Sequence, residues 1–278
     1  MRSSTCPDDA RDPISPFSLA VRAEAHPLHL ASPCDTCRAR EFSACAALTA
    51  EEQKRLTAIM RTINVKAHCS IFDEADPAEY VYTITAGTVA VYKLLGDGRR
   101  QITGFLFAGA FLGLTHNEAY AYSAEALVPT RLCRFPRRRL EALLVEIPHL
   151  EQRLLAMASH ELAAAQDQMM LLGRKSARER VVSFILMLFN SAAQHGRSGD
   201  PVFLAMSRGD IADYLGLTTE TVSRTVTSLK KQGLIELLDD RRIRLSNIPA
   251  LREIAEGSEP ACGGRSLIDT FDPGKTRP

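Results

Sequence analysis

The sequence contains no apolar run of the roughly 20 residues that a membrane-spanning helix needs, which excludes an integral helical membrane protein. Its first residues, MRSSTCPDDARDPISP, lack an apolar signal core, so the expected location is the cytoplasm. Neither sign of charge is in excess. The 34 Lys and Arg against 33 Asp and Glu leave a formal net charge of +1, so no global field draws the chain to nucleic acid or membrane, and any such binding rests on a local patch. The cysteines do not form an even set. Seven cannot make a fully paired disulfide framework, and disulfides are rare in the cytoplasm, where clustered cysteines more often serve metal or redox chemistry. No thioredoxin-like βαβ pattern surrounds them, which argues against a thiol oxidoreductase. What remains is an ordinary soluble composition, 45% hydrophobic and 24% charged, in 278 residues, enough for two domains.

What is present falls into distinct stretches. Residues 1–33, rich in Pro, Ser, Asp and Ala without periodicity, read as a disordered extension, as does the tail 257–278. The segment SPCDTCRAREFSAC then places Cys34, Cys37 and Cys45 within a dozen residues. Thr49 is a helix N-cap with Glu51 and Glu52 in the first turn. From Asn64 to Arg134 short apolar-polar alternations are punctuated by Gly87, Gly96, Gly98, Gly104 and Gly109, with a hairpin turning at Gly96-Asp97-Gly98. This predicts a small jelly roll or barrel, and residues 34–136 form one domain with the cysteine segment.

Residues 137–173 predict a long helix, with Pro148 near its start. Leu155, Ala158, Leu162, Ala165, Met169 and Leu172 recur at spacings alternating between three and four, a coiled-coil seam. An ordinary core helix gives the same pattern, but the small Ala158 and Ala165 admit a close partner, and a homodimer is expected.

The segment on which function turns lies within residues 174–256: MSRGDIADYLGLTTETVSRTVTSLKKQGLIELLDDRRIRLSN. Ser207 caps a helix through Leu215, and Gly216 ends it at a position needing positive φ. Thr218 or Thr219 caps a second helix, ended by Gly233. Small Ala212, Gly216 and Val222 have the spacing of a DNA-binding helix-turn-helix, and LIELLDDRRIRL reads as a hairpin wing with Asp239-Asp240 at its tip. Glu220, Ser223 and Arg224 share one face at i, i+3 and i+4, where Arg can bond guanine, Glu can accept from cytosine and Ser is adaptable. Thr219 lies beside them. Arg208, Lys230, Lys231, Arg241 and Arg242 are candidates for phosphate contacts.

The order of β-roll, long dimerisation helix and C-terminal winged helix, an α+β architecture, resembles the cyclic-AMP receptor protein superfamily over roughly residues 34–250. The stretches RGDIADYLGLTTETVSR and QITGF are most similar to its fumarate and nitrate reduction regulator (FNR) branch, including the rhizobial FnrN-type members. The resemblance implies a dimeric transcription regulator, mainly an activator, that reads an inverted repeat of TTGAT through Glu220, Ser223 and Arg224. It further implies contact with RNA polymerase, with the hairpin 96–101 and the loop 191–200 as candidates.

It also implies a [4Fe-4S] cluster, sensing oxygen, on Cys34, Cys37, Cys45 and a fourth ligand, Cys133 in TRLCRFP. From spacing alone, a cluster, a structural zinc site and neither of these stand level, and the C-x2-C pair could also form a redox disulfide. Cys69 reads as a small buried residue, and Cys6 and Cys262 have no assigned role. One member of the superfamily binds cyclic AMP through an Arg-Ser pair. Here Ser123 is present but Tyr122 stands where the Arg belongs, so no cyclic nucleotide is expected. Ala165 stands where the best-known FNR member carries an aspartate that opposes dimerisation, which predicts a dimer less dependent on the cluster.

Overall fold

The structure is a computed structural model that describes residues 34, 36–194, 200–238 and 241–257. The extension 1–33, the tail after Gly257, the wing-tip pair Asp239-Asp240, Cys6, Cys262 and residues 195–199 of the loop 191–200 lie outside the described residues. Two compact units are present: residues up to Arg174 together with Leu204–Ser223, and Lys175–Phe203 together with residues from Arg224 onward. The division thus falls after Arg174, and 204–223 cluster with the first unit.

In the first unit the cysteine segment runs through two 3-10 turns, Arg40–Phe42 and Ala44–Ala47, into α1 (Ala50–Ile59). Thr49 caps α1 as expected. Its Oγ1 accepts from the Glu52 amide at 3.3 Å, and the Glu52 carboxylate accepts from the Thr49 amide at 2.9 Å, a reciprocal capping box. Eight strands follow: β1 (Arg61–Val65), β2 (Cys69–Phe72), β3 (Tyr80–Ala86), β4 (Thr88–Leu94), β5 (Arg100–Phe107), β6 (Phe111–Leu112), β7 (Ser123–Ala126) and β8 (Thr130–Pro136). They form two four-stranded antiparallel sheets, ordered β1-β8-β3-β6 and β2-β7-β4-β5, which is the jelly roll expected. The β4–β5 hairpin turns where Gly98 adopts φ +84. Gly87 (φ +104) makes the β3–β4 turn, and a Cβ there would lie 2.3 Å from Thr130 Oγ1, so only glycine fits.

The helical stretch read as one element over 137–173 is two helices, α2 (Arg137–Glu146) and α3 (Pro148–Arg174). Pro148 has no amide hydrogen to donate and pushes the preceding residue out of the helical region; Ile147 accordingly sits at φ −126, ψ 79. The break is useful to packing, because Leu140 and Leu143 of α2 and Leu150 and Leu154 of α3 then share one core with Ala44, Leu48, Leu56, Val81 and Phe135.

The chain next passes through α4 (Ala177–Gln194) and β9 (Val202–Phe203), which belong to the second unit. It returns to the first with α5 (Arg208–Leu215) and the opening of α6 (Thr219–Lys231). The second unit adds the rest of α6, β10 (Ile235–Leu238), β11 (Arg242–Leu245) and α7 (Ile248–Ala255). Strands β10, β11 and β9 form the wing sheet in that order. The apolar face of α4 supplies the fully buried Val181, Val182, Phe184 and Ile185, and α4 packs on α7, where Leu251 and Ile254 are buried.

Candidate functional site

The helix-turn-helix is built by local chemistry. Ser207 Oγ accepts from the Asp210 amide at 3.1 Å, and the Asp210 carboxylate accepts from the Ser207 amide at 2.8 Å, a second capping box that starts α5. Gly216 at φ 61, ψ 41 ends it, with the Leu217 amide donating back to the Ala212 carbonyl at 3.0 Å. Thr218, one of the two residues the sequence offered, caps α6: its Oγ1 accepts from the Thr221 amide at 3.1 Å. Ala212 and Val222 are buried, as a close helix crossing requires.

On α6, Thr219, Glu220 and Arg224 are exposed and Ser223 is half-buried, its hydroxyl donating to the Thr219 carbonyl at 2.8 Å. Helical periodicity puts Glu220, Ser223 and Arg224 on one face, the arrangement that reads base edges in a major groove. Arg208, the first residue of α5, is half-buried, and burial lowers its guanidinium pKa from the ordinary value. Lys230, Lys231, Arg241 and Arg242 are exposed.

The seam on α3 lies on the surface of the chain. Leu155 is 67%, Leu162 60% and Met169 67% exposed. Ala158 and Ala165 are exposed and Leu172 is half-buried. A helix buried within its own chain would hide these side chains. A row of large apolar groups left in water, with small residues interleaved, suits a second copy of the helix.

The four cysteines of interest come from three places. Cys34 and Cys37 sit in a turn in which the Cys37 amide donates to the Cys34 carbonyl at 3.4 Å. The Cys34 thiol lies 3.5 Å from Thr57 Oγ1 on α1. Cys45 is in the second 3-10 turn, where its amide donates to Ser43 Oγ at 3.2 Å. Cys133 is in the middle of β8, paired with Thr62 of β1 and Thr83 of β3. Both Cys45 and Cys133 pack on the core that α1, α2 and α3 share with the β-roll.

Burial raises the pKa of Cys45, and the neighbouring Cys34 and Cys37 add to it. Cys133 is pushed up to about 12, first by burial and then by Cys34, Cys37 and Cys45. No group of three or more His, Cys, Asp and Glu side chains among the described residues has the spacing of a closed metal site. The fold therefore sets Cys45 and Cys133 against one apolar wall, with Cys34 and Cys37 in the turn before them, and no three such donors among the described residues are drawn to ligand distance. That donor set suits an iron–sulfur centre or zinc, and either would displace thiol protons on binding. The segment is seated by Gly109 (φ +97), where a Cβ would lie 2.8 Å from Phe42 Cβ. Cys69 is buried on β2, as expected.

Around Tyr122, which stands where the resemblance would place an arginine, aromatic rings cluster in the β-roll. Phe72 stacks on Tyr120 at 3.8 Å and meets Tyr122 at 5.6 Å. The Tyr122 hydroxyl accepts from the Gly113 amide at 3.0 Å.

Sequence reasoning missed a polar cluster on α5. Arg100, read as part of an exposed hairpin, is held by Asp213 at 3.0 Å, by Glu125 at 3.2 Å and by Asp210. Gln101 Nε2 donates to the Asp213 carbonyl at 2.6 Å. No local signal pairs residues more than 100 positions apart. Of the 96–101 hairpin, Arg100 and Gln101 are thus turned to α5, leaving Gly96–Arg99 at the tip.

A β-roll, a helix with an exposed apolar stripe and a winged helix-turn-helix define a DNA-binding transcription regulator rather than an enzyme. Residues 179–254 match the Crp-like helix-turn-helix domain and residues 62–146 the cyclic nucleotide-binding domain. The chain is 42% identical to the nitrogen fixation regulation protein FixK of Azorhizobium caulinodans, over 74% of this chain and 86% of that one. It is 34% identical to the transcriptional activator protein FnrL of Cereibacter sphaeroides, over 83% of this chain and 94% of that one. The solved structure of FixK2 from Bradyrhizobium japonicum superposes with a TM-score of 0.66 at 38% identity, covering 73% of this chain and 99% of that one. The chain belongs to the Crp/Fnr superfamily of transcription regulators, in its FNR-type branch, whose members bind DNA as dimers through the helix-turn-helix.

Proposed function

We propose that this regulator activates transcription from a TTGAT-type inverted repeat, as a homodimer, under the control of oxygen acting on a [4Fe-4S] cluster held by Cys34, Cys37, Cys45 and Cys133. The observation that supports the reading is that Cys45 of the N-terminal segment and Cys133 of β8 pack on one core, with Cys34 and Cys37 in the turn that precedes Cys45. When bound, such a centre supplies a cysteinyl-iron tie between the segment and the β-roll.

The chain's own residues define what that tie acts on. Ala44 and Leu48, on either side of Cys45, pack in one core with Leu150 and Leu154 at the start of α3. Ordering of the segment thus bears on the first turns of the helix that carries Leu155, Ala158, Leu162, Ala165, Met169 and Leu172. A bias of about 1–3 kcal/mol on that helix suffices for a regulatory effect. Each protomer then presents Glu220, Ser223 and Arg224 to one half-site, with the two half-sites about 34 Å apart. At RNA polymerase, the hairpin tip Gly96–Arg99 is the surface offered by the described residues.

The test is operator binding with and without air, together with iron, sulfide and zinc analysis of protein prepared without oxygen. Iron and sulfide in the wild type, lost from Cys133→Ala along with air-sensitive binding, is the expected result. A colourless zinc protein whose operator binding ignores air replaces the sensor with a structural metal site. Sedimentation of metal-free and loaded protein addresses Ala165: equal dimer fractions place the control in DNA affinity rather than assembly.

A further inference from the structure

Helix α5, the first helix of the helix-turn-helix, is pinned to the β-roll towards its N-terminal end and to the β-roll and α3 at its C-terminal end, and all of these elements lie in the first unit. At its N-terminal end stands Asp210, buried, which already closes the capping box with Ser207. Arg100, the first residue of β5, donates to Asp210, to Asp213 at 3.0 Å and to Glu125 of β7 at 3.2 Å, and its guanidinium lies 5.4 Å from the centre of the Tyr92 ring. At the C-terminal end, helix geometry leaves the last carbonyls without partners. Two amides supply them. Gln101 Nε2 donates to the Asp213 carbonyl at 2.6 Å, and Gln168 Nε2 of α3 donates to the Tyr214 carbonyl at 2.8 Å. The Phe105 and Tyr214 rings meet at 5.0 Å beside them.

The charge balance makes Arg100 more than one contact among several. It is a single cation facing three carboxylates, and the Arg100 side chain is only 25% exposed. His68, 3.6 Å from Glu125, is mostly exposed and does not replace it. Burial lowers the Arg100 pKa, but its hydrogen bonds to Asp213 and then Asp210 prevail and raise it. Without Arg100, Asp210, Asp213 and Glu125 repel one another across the contact, and the buried Asp210 keeps only its capping bonds. The Arg100 contact then turns from attraction to repulsion, which loosens the N-terminal half of α5 on the hairpin while Gln101, Gln168 and Phe105 still hold its C-terminal end.

What α5 carries gives the contact its purpose. Gly216, Leu217 and Thr218 lead directly from α5 into the first turn of α6, with Glu220 and Ser223, and the buried Val222 fixes that turn. The dimer stripe is on α3, which Gln168 ties to the same helix. We infer that Arg100 is a positioning residue for operator recognition: by holding α5 on the β4–β5 hairpin, it sets where the reading end of α6 stands relative to the dimer helix, and so which half-site spacing the dimer accepts. The inference rests on the inverted-repeat reading above.

The experiment measures affinity for operators whose two half-sites are at the natural spacing or moved by one base pair in either direction. It uses the full chain as wild type, Arg100→Ala, Arg100→Lys and Asp213→Asn. The ratio between spacings is the readout, because loss of folded protein lowers every affinity alike and cancels in it. Arg100→Ala is expected to lower affinity for the natural spacing by about tenfold, the scale of coupling within one ion-pair network, and to flatten the ratio. Arg100→Lys keeps the charge but loses the fork and restores part of the ratio. Asp213→Asn, which leaves the Ser207–Asp210 cap intact, weakens it in the same direction. A spacing ratio in Arg100→Ala equal to that of the wild type overturns the inference, as does a gain in affinity, which makes the contact an inhibitory clamp. A wild type indifferent to spacing overturns the inverted-repeat reading and the inference with it.

Discussion

The helix-turn-helix and the cysteine site both depend on a few side chains held in place, but they are specified over very different distances along the chain. In the helix-turn-helix, the cap at Ser207, the left-handed glycine at 216, the cap at Thr218 and the packing pair Ala212 and Val222 all fall within sixteen residues. Each local choice supports the next. In the cysteine site Cys133 shares a core with Cys45 only because β8 lies between β1 and β3 and the segment before α1 packs on the same core. The lesson is that the helix-turn-helix is locally encoded and robust, whereas the proposed cysteine site rests on tertiary placement and is the easier of the two to perturb.

Mutations at each site separate them. The largest effect is expected for Arg224→Ala. One bidentate base contact is worth about 1–3 kcal/mol, and the symmetric dimer loses two, so specific operator binding falls by about 2–6 kcal/mol in a gel-shift or anisotropy titration while iron and sulfide content stay at the wild-type level. Cys133→Ala is expected to do the reverse at the cysteine site, removing iron and sulfide while leaving the residual affinity for non-specific DNA and its salt dependence unchanged. If either variant loses both properties, the two regions are not separable.

Smaller effects sharpen the contrast. Gly109→Ala places a methyl against Phe42 in a left-handed backbone position, so it is expected to lift the cysteine segment, seen as faster proteolysis within residues 34–48 with helix-turn-helix stability unchanged. Gly216→Ala is its counterpart at the other site and costs about 1–2 kcal/mol in denaturant unfolding, because a Cβ strains a helix end at φ 61.

The smallest effect concerns the two capping boxes. The Thr49 backbone and side-chain hydrogen bonds hold Glu52 below its ordinary 4.5. Burial raises Asp210, but its bonds from Ser207 and then Arg100 prevail and hold it below 3.8. A depressed folded value stabilises above the ordinary value and loses that contribution as pH falls through the folded one. Glu52→Gln is therefore expected to remove the Glu52 share of acid sensitivity, leaving that of Asp210, in unfolding curves followed downward from neutral pH.

Much of this was legible in the sequence because periodicity and punctuation are local signals. Thr49, Ser207 and Gly216 have the caps and stops they predict, and the glycine-punctuated strands form the expected roll. The break at Ile147 was available in the same way, since Pro148 restricts its predecessor, yet the seam beyond it masked the interruption. The contact of Arg100 with α5 was not available. It joins a hairpin to a helix more than 100 residues on, and nothing in GDGRRQ distinguishes an arginine facing solvent from one that bridges three carboxylates.

The sequence by itself determined the order of elements, the helix ends and the face of α6 that carries Glu220, Ser223 and Arg224, because backbone preference and side-chain capping act over a few residues. Only the tertiary structure decided that Cys45 and Cys133 share one core, that the α3 stripe stays in water for a partner, and that Arg100 faces inward. Strand pairing and burial act between residues far apart in the chain, and no short-range pattern encodes them.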